Sequence, residues 1–381
     1  MRVGVVGGKL QGIEAVYLSR KAGYSSLLID KDRRTPASYI SDYSRNVDVL
    51  RRPSEAKRAL QEVDVVIPAL EEPTTLEKLS EICQSINTPL VFDSHAFSIT
   101  YDKIRSRAFL EAKSIPIPRH YPNAEFPVII KPRSQSGGKG IYRIDSYTEL
   151  QSRARRIPKA LQPMIIQEFL EGTNISLEVI GNGERYQTYL TTDLGFDDKF
   201  SCREVSFPSS VPLSVVAELE SLGKSIGRGL NLEGLTDVQA IYSKEGLKVI
   251  EINARLPSQT PTVVYHASGI NLIEQLVEMF VNVKLPSYSS NSFSSVLYAH
   301  LRVLNGRLTQ IGERMLSDAK ELRILNGLLG ADEVITNLEH APKDAVMTVI
   351  IKDTNFERVQ NRFRTFMEEL PREFSLKGTS K

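Results

Sequence analysis

Residues 237–261 read DVQAIYSKEGLKVIEINARLPSQTP, and the way this stretch folds decides the rest. Two apolar-rich segments, 237–242 and 247–253, flank Ser243-Lys244-Glu245-Gly246, the pattern of an antiparallel hairpin. A five-residue loop over 242–246 predicts Asp237 opposite Glu251. Val238, Ala240, Ile250 and Ile252 then share one apolar face, while Asp237, Gln239, Glu251 and Asn253 share the other. A slip by one residue would send Glu251 into the apolar layer, where a lone carboxylate is costly. Asp237, Glu251 and Asn253 thus offer carboxylate and amide oxygens from adjacent strands, a donor set that suits a hard cation such as Mg²⁺. Arg255, two residues further on, can clamp an anion. An amphipathic hairpin with a solvated outer face has the same pattern, so the remaining chain has to separate the two readings.

At 381 residues the chain has room for about two or three domains. Its 48 basic and 46 acidic residues leave a net charge of +2, which argues against nucleic acid or an anionic membrane as a partner. The two cysteines, Cys83 and Cys202, make no disulfide framework or zinc site, and the five histidines have no metal spacing. No apolar run is long enough to span a bilayer, and the first residues read as a strand without a leader pattern, so a cytoplasmic protein is expected.

Residues 1–93 alternate strands and helices: RVGVVG at 2–7, a helix to about Ala22, Ser26–Asp30, VDVVIP at 63–68, a helix from Thr74 to about Ser85, and PLVFD at 89–93. This predicts a Rossmann-like parallel sheet covered on both faces. A dinucleotide site would use Asp30 for a ribose, but Lys9 stands where the G-x-G-x-x-G fingerprint needs its middle glycine. The loops at the strand ends instead suggest a small-molecule cleft, with Lys9, Gln11, Glu71 and Glu72 as candidate contacts; each alone would also suit a solvated loop.

Further on, a helix begins at Asp102-Lys103 and stops before IPIP at 115–118. The strand FPVIIK ends on Lys131, and Ser136-Gly137-Gly138-Lys139-Gly140 follows, glycines that let backbone N–H groups approach phosphate oxygens closely. It lacks the Walker A pattern, and a glycine-rich hairpin turn is the plain alternative. MIIQEFL at 164–170 leads to ISLEVI at 175–180, an apolar segment against which an adenine could lie.

In this order, DK at 102–103, IPIP, VIIKP, SGGKG, QEFLEG, the acid Asp237, EINAR at 251–255 and the helix GINLIEQLVE at 269–278 resemble the ATP-grasp superfamily over roughly residues 1–285. The resemblance implies an ATP-grasp fold: an N-terminal α/β domain (1–93), an ATP-grasp region (94–285) with a mobile α+β lid at about 120–190, and a small C-terminal α+β domain (295–370). It implies that Lys103 and Lys131 contact the nucleotide phosphates beneath Ser136, Gly137 and Gly138. Gln167, Glu168 and Leu170 would hold the adenine, and Asn174 or Glu178 the ribose. Asp237, Glu251 and Asn253 would ligate two Mg²⁺ ions, and Arg255 with Lys131 would act on the reacting groups. One departure is Leu235, where some ligases of the superfamily carry an arginine, so Arg255 supplies that charge alone or with Arg203.

GGKLQG, SQSGGKG and EINARLPSQTP further resemble superfamily ligases that join two cationic diamino acids. That implies an ADP-forming carboxylate–amine ligase working through an acyl phosphate. Glu71, Glu72 and Asp193 would meet ammonium groups, and Arg255 with Ser258 the activated carboxylate. The expected partners are small amino acids, with no nucleic acid and no membrane; a homodimer is compatible with the sequence. A carboxylase or a D-alanine–D-alanine type ligase would use the same ATP site, a nicotinamide-dependent oxidoreductase would use Gly7–Asp30, and a nucleotide sensor would bind without turnover. Residues 191–207 are expected to be an irregular polar loop, 287–295 a serine-rich linker, and the residues from about Leu370 a mobile tail.

Overall fold

The computed structural model describes residues 1–135, 137–158, 161–287 and 292–378, of 373–378 the backbone alone. Ser136 and residues 288–291 of the expected linker lie outside the described residues. The chain forms two compact units: 1–92 with 203–208 and 255–381, and 93–202 with 209–254. Residues 255–285, expected with the ATP-grasp region, fall in the first unit.

The first unit opens with a parallel sheet in the order Tyr43–Asn46, Ser25–Asp30, Arg2–Val6, Val65–Pro68. Helix Leu10–Lys21 is buried from Gly12 through Ser19, as expected of a helix covered on both sides. PLVFD, expected as a strand, makes a single bridge, Val66 to Leu90. Asp93 instead caps helix Ser94–Thr100 by accepting from the Ala96 N–H at 2.8 Å. The unit also holds an antiparallel sheet of Cys202–Phe207, Ser295–Leu304, Asp344–Asp353, Glu333–Thr336 and Arg323–Asn326, under helix Phe356–Gly378. The expected tail is therefore helical through Gly378, with Phe366 and Leu370 buried against that sheet.

In the second unit, Gly246–Asn253, Glu233–Ser243, Gly172–Asn182 and Thr192–Phe196 lie side by side in an antiparallel sheet. Helix Leu213–Leu230 covers its apolar face, where Leu177, Val179, Val238, Ala240, Val249 and Ile252 meet Leu219 and Ile226. A Cβ on Gly223 would come within 2.9 Å of Leu177, so glycine sets how closely helix and sheet approach. A second, three-stranded sheet (Tyr142–Ile144, Val128–Pro132, Met164–Glu168) has its own small core around Val128, Ile130, Ile144 and Leu150. The loop expected over 191–207 is mostly strand, Thr192–Phe196 and Cys202–Phe207, because Thr192, Asp193 and Leu194 pair with Ser176, Ile175 and Asn174, and Glu204 to Phe207 pair with Ala299 to Val296.

The central hairpin keeps its expected faces but not its expected register. A two-residue turn sets Ser243 opposite Gly246, and a β-bulge after Gln239 sets Gln239 opposite Glu251 and Asp237 opposite Asn253. Without the bulge, so tight a turn would place Glu251 opposite Val238, on the apolar face. The bulge takes up the extra residue, Ile250, which leaves the core layer; Val249 replaces it there.

Candidate active site

Register alone assembles a polar face on the second unit's sheet. Asn253, Asp237 and Glu178 stand in one row across three strands, and Glu251, Gln239, Ser176 and Thr192 in the next. Asp237 and Glu178 are fully buried. Asp237 Oδ2 lies 3.0 Å from Gln239 Nε2 and 3.4 Å from Asn253 Nδ2. Asn174, two residues before Ser176, extends the same face opposite Ile241. Sequence reasoning missed Ser176 and Thr192, whose place on this face depends on pairing between distant strands.

Two lysines meet this face. Lys103 Nζ is 3.1 Å from Glu251 Oε1 and donates to the Gln135 carbonyl at 2.7 Å. Lys131, 6% exposed, donates to the Ile250 carbonyl, the group that the bulge takes out of register. Burial pushes the Lys131 ammonium down to about 8, with Glu251 pulling it up and Lys103 pushing it down. Oxygen donors from Asp237, Glu251 and Asn253, with an ammonium already on Glu251, form a donor set that fits a hard divalent cation shared with phosphate oxygens. Among the described residues, no three Asp, Glu, His or Cys side chains form a ready-made metal cage.

The loop after Lys131 is tied down at its root. Arg133 Nε donates to Asp102 Oδ1 at 2.8 Å, its other nitrogen pairs with Oδ2, and the Lys103 N–H donates to the Arg133 carbonyl. Asp102 also caps helix Lys103–Ala112, and the Arg133 guanidinium holds its carboxyl below the usual range. Gly137 and Gly138 follow with φ of 63° and 69°, a conformation that glycine adopts without strain.

Gln167 and Glu168 close the strand Met164–Glu168, both buried, and Leu170 is buried just beyond. The Glu168 N–H, expected near an adenine, donates to the Arg119 carbonyl. Its carboxylate accepts from Arg119 and from Lys248 Nζ at 2.6 Å. Burial alone would raise that carboxyl, but these donors together hold it below the usual range. Asp193 stands opposite Ile175, on the apolar side of the sheet, and its carboxylate accepts from Ser209 Oγ and the Ser210 N–H. Its charge is used in fixing that turn, which spacing in the sequence cannot reveal.

In the first unit, Glu71 Oε1 accepts from Gln11 Nε2 and from Arg255 Nε, each at 2.7 Å. Glu72 is exposed and accepts from Thr75 of its own helix. Lys9 is also exposed, 4.0 Å from Asp318. Asp30 accepts from the Gly8 N–H at 2.7 Å, and a Cβ on Gly8 would fall 2.0 Å from Thr35 Oγ1; this glycine turn is filled by the protein itself. Ser258 Oγ donates to Glu313 Oε2 at 3.0 Å, and Gln259 Nε2 to the same oxygen at 2.5 Å. Gln259 has φ +86°, an uncommon conformation for a side-chain-bearing residue. The next helix, Thr260–Ser268, is held at its start by buried Glu14, which accepts from the Thr262 N–H at 2.7 Å. Sequence reasoning missed Glu313 and Gln259, since nothing local marks a carboxylate 55 residues beyond its partner.

The ATP-grasp domain family matches residues 100–259. The 3-methyl-D-ornithine–L-lysine ligase of Methanosarcina mazei is 36% identical over 315 residues, covering 82% of this chain and 81% of that protein. That of Methanosarcina acetivorans is 32% identical over 363 residues, covering 95% of each. Among solved structures, the biotin carboxylase domain of Hydrogenobacter thermophilus 2-oxoglutarate carboxylase, in complex with MgADP, ADP and bicarbonate, superimposes with a TM-score of 0.73 at 14% identity, covering 96% of this chain and 88% of that one. That likeness supports the fold alone.

Proposed function

The chain belongs to the ATP-grasp family of 3-methyl-D-ornithine–L-lysine ligases, and from this premise we propose that it joins the α-carboxylate of 3-methyl-D-ornithine to the ε-amine of L-lysine at the expense of ATP, a step of pyrrolysine biosynthesis. The observation that carries the reading is the polar face in which Glu251, Asp237 and Asn253 stand together with Lys103 on Glu251. In this reading Lys103 and Lys131 neutralise the nucleotide phosphates, and Gly137 and Gly138 turn backbone N–H groups toward them. Gln167, Glu168 and Leu170 border the adenine, and Asn174 or Glu178 the ribose. Asp237, Glu251 and Asn253 would hold Mg²⁺, in one or two ions, which supplies charge neutralisation at the transferring phosphoryl group.

The substrate carboxylate attacks the γ-phosphorus, the bond to the β-bridging oxygen breaks, and ADP leaves. The lysine ε-amine, once deprotonated, adds to the acyl phosphate carbonyl; the tetrahedral oxyanion collapses with loss of inorganic phosphate. In this reading Arg255, held by Glu71, would stabilise the carboxylate and acyl oxygens, and Gln11, Ser258 and Lys9 would border the amino acids. The protein contributes positioning and preorganised charge rather than a covalent step of its own.

Among the described residues no helix is long and apolar enough to cross a membrane. The biotin carboxylase domain named above is described as a dimer; light scattering on this chain tests whether it pairs as well. The reaction is tested by mass spectrometry on ATP, L-lysine and 3-methyl-D-ornithine. The expected products are an Nε-linked dipeptide, ADP and phosphate. AMP as product, or faster turnover of alanine than of these diamino acids, would overturn the assignment.

A further inference from the structure

Glu168 and Lys248 form an ion pair apart from the residues that face metal and phosphate. Lys248 Nζ donates to Glu168 Oε1 at 2.6 Å and to Glu245 Oε2 at 2.7 Å. Arg119 closes the other side, donating from Nε to Glu168 Oε2 and from Nη2 to Glu245 Oε1 at 3.4 Å. Two cations and two carboxylates thus alternate in a neutral ring. Its inner pair is largely buried, the side chains of Glu168 and Lys248 being 4% and 13% exposed, whereas Arg119 and Glu245 are about half exposed. Burial alone would push the Lys248 ammonium down, but Glu168 and Glu245 together hold it above its usual range. Both members of the inner pair stay charged at neutral pH, and removing one would leave the other buried without its partner.

The ring joins distant parts of the second unit. Glu168 ends strand Met164–Glu168 of the three-stranded sheet, Glu245 and Lys248 belong to the turn and second strand of the central hairpin, and Arg119 lies on the segment between. That segment is tied to both: the Val249 N–H donates to the Pro116 carbonyl at 2.8 Å, and the Tyr121 N–H to the Ile166 carbonyl at 3.2 Å. Lys131 on the Ile250 carbonyl is a second tie between the same two sheets. Along the hairpin strand Lys248 and Ile250 are about 7 Å apart. On the three-stranded sheet the ties sit on adjacent strands, with Lys131 opposite Ile165 and Glu168 opposite Val128. One tie leaves a sheet free to turn about it; two remove most of that freedom. The Lys131 ammonium is also the group read above as a phosphate contact, so an arriving phosphate competes with its tie. The ring contains no phosphate-facing group and can stay as it is.

We propose that the Arg119–Glu168–Lys248–Glu245 ring is a clasp that sets the three-stranded sheet on the central hairpin before nucleotide binds. Lys248 and Arg119 are then positioning residues for Lys131 and for the loop of Gly137 and Gly138. A site set in advance leaves less ordering for the nucleotide to impose, which strengthens binding. Where loss of the clasp leaves the sheet in place only about a tenth of the time, apparent affinity falls ~10-fold. This inference rests on the nucleotide reading of the same face.

The test is calorimetric titration of the full chain with MgADP, paired with hydrogen exchange, neither of which needs turnover. Lys248→Met should weaken MgADP by ~10-fold and speed exchange in strands Val128–Pro132 and Met164–Glu168 of the nucleotide-free protein. Saturating MgADP should return that exchange to the wild-type rate, because bound nucleotide then holds the sheet in place of the ring. Lys248→Arg, which keeps the charge, should recover most of both readouts. Glu245→Gln leaves the inner pair intact and should weaken MgADP by no more than about three-fold, the scale of an exposed ion pair. Arg119→Gln carries the same two expectations as Lys248→Met should that protein not fold. Wild-type affinity and exchange in these variants overturns the clasp. So does faster exchange by the same factor in Val238–Ala240 of the central sheet, the mark of general destabilisation. If the nucleotide results come out as expected while the wild-type protein forms no dipeptide, the clasp stands and the reading of the reaction falls.

Discussion

The ammonium of Lys131 donates a hydrogen bond to the main-chain carbonyl of Ile250 at 3.1 Å, joining the three-stranded sheet to the bulge of the central hairpin. An ammonium held there is desolvated and close to where the phosphates would lie. Lys131→Met should therefore raise KM for ATP and lower kcat together, cutting kcat/KM by ~10²-fold. With its ammonium pushed down to about 8, Lys131 loses charge as pH rises past that value. In the free enzyme kcat/KM for ATP should be full below about pH 8 and fall by ~10-fold per unit above it. Lys131→Arg, which stays charged, should flatten that limb; a wild-type profile flat to about pH 9.5 would count against phosphate contact by Lys131.

Glu251 is tested in two ways. Glu251→Gln should keep the fold and Tm while turnover drops at least ~10²-fold at saturating Mg²⁺. Deleting Ile250 removes the residue that the bulge absorbs; the ladder then runs on from Ala240–Val249 to Gln239–Glu251 without interruption, and buried Lys131 loses the carbonyl to which it donates. The expected effect is a loss of about 1–3 kcal/mol in denaturant titration, the scale of a buried donor left without its partner, with Glu251 still on the polar face. A deletion protein with unchanged stability would show that the bulge carbonyl does not hold Lys131.

Glu71 and Glu72 are neighbours with different surroundings. Glu71→Gln should raise KM for the amino acids by ~10-fold with little change in KM for ATP, because Arg255 and Gln11 lose their shared anchor. Glu72→Gln, exposed at a helix start, should stay within about two-fold of wild type and lose at most a few tenths of a kcal/mol. Steady-state kinetics on both variants decides; equal effects would remove Glu71 from the site.

The pairing of Asp102 with Arg133 ties the glycine loop to a helix start. Asp102→Asn should speed hydrogen exchange over 133–140 in the absence of nucleotide and weaken ATP binding by a few-fold. Exchange rates in this segment that match the wild type would show that the loop is held by other contacts.

Two buried imidazoles set the acid limit of stability. Burial pushes His300, hydrogen-bonded to Thr348, down to about 3, and His266 down to about 4. The unfolded chain protonates near 6.5, so this contribution is complete above about 6.5 and is lost as pH falls, up to on the order of 3 kcal/mol per site by pH 4. Glu14, raised by burial to about 7, opposes this: its contribution is greatest below about 4.5 and is lost as pH rises to 7. Two imidazoles outweigh one carboxyl, so stability should fall from pH 6.5 to 4. His300→Gln should lessen that fall in denaturant titrations; an unchanged slope would show that His300 is not the titrating group.

What the sequence determined by itself was the face of each strand. Period-two alternation in DVQAIY and in EIN places Asp237, Gln239, Glu251 and Asn253 together and away from Val238 and Ile252 in any register that keeps the carboxylates out of the core. The alternation of strand and helix in the first ninety residues likewise predicts the parallel sheet. Only the tertiary structure decided the register, since a five-residue loop and a two-residue turn with a bulge satisfy the same alternation. Tertiary structure also separated carboxylates that look alike in sequence. Asp193 is turned to Ser209, Glu72 to Thr75 and Asp30 to its own glycine loop, whereas Glu71 meets Arg255 and Glu313 meets Gln259. The physical reason is range: side-chain period is set by neighbouring residues, but the partner of a charge is set by whichever distant strand or helix folding brings within 3 Å.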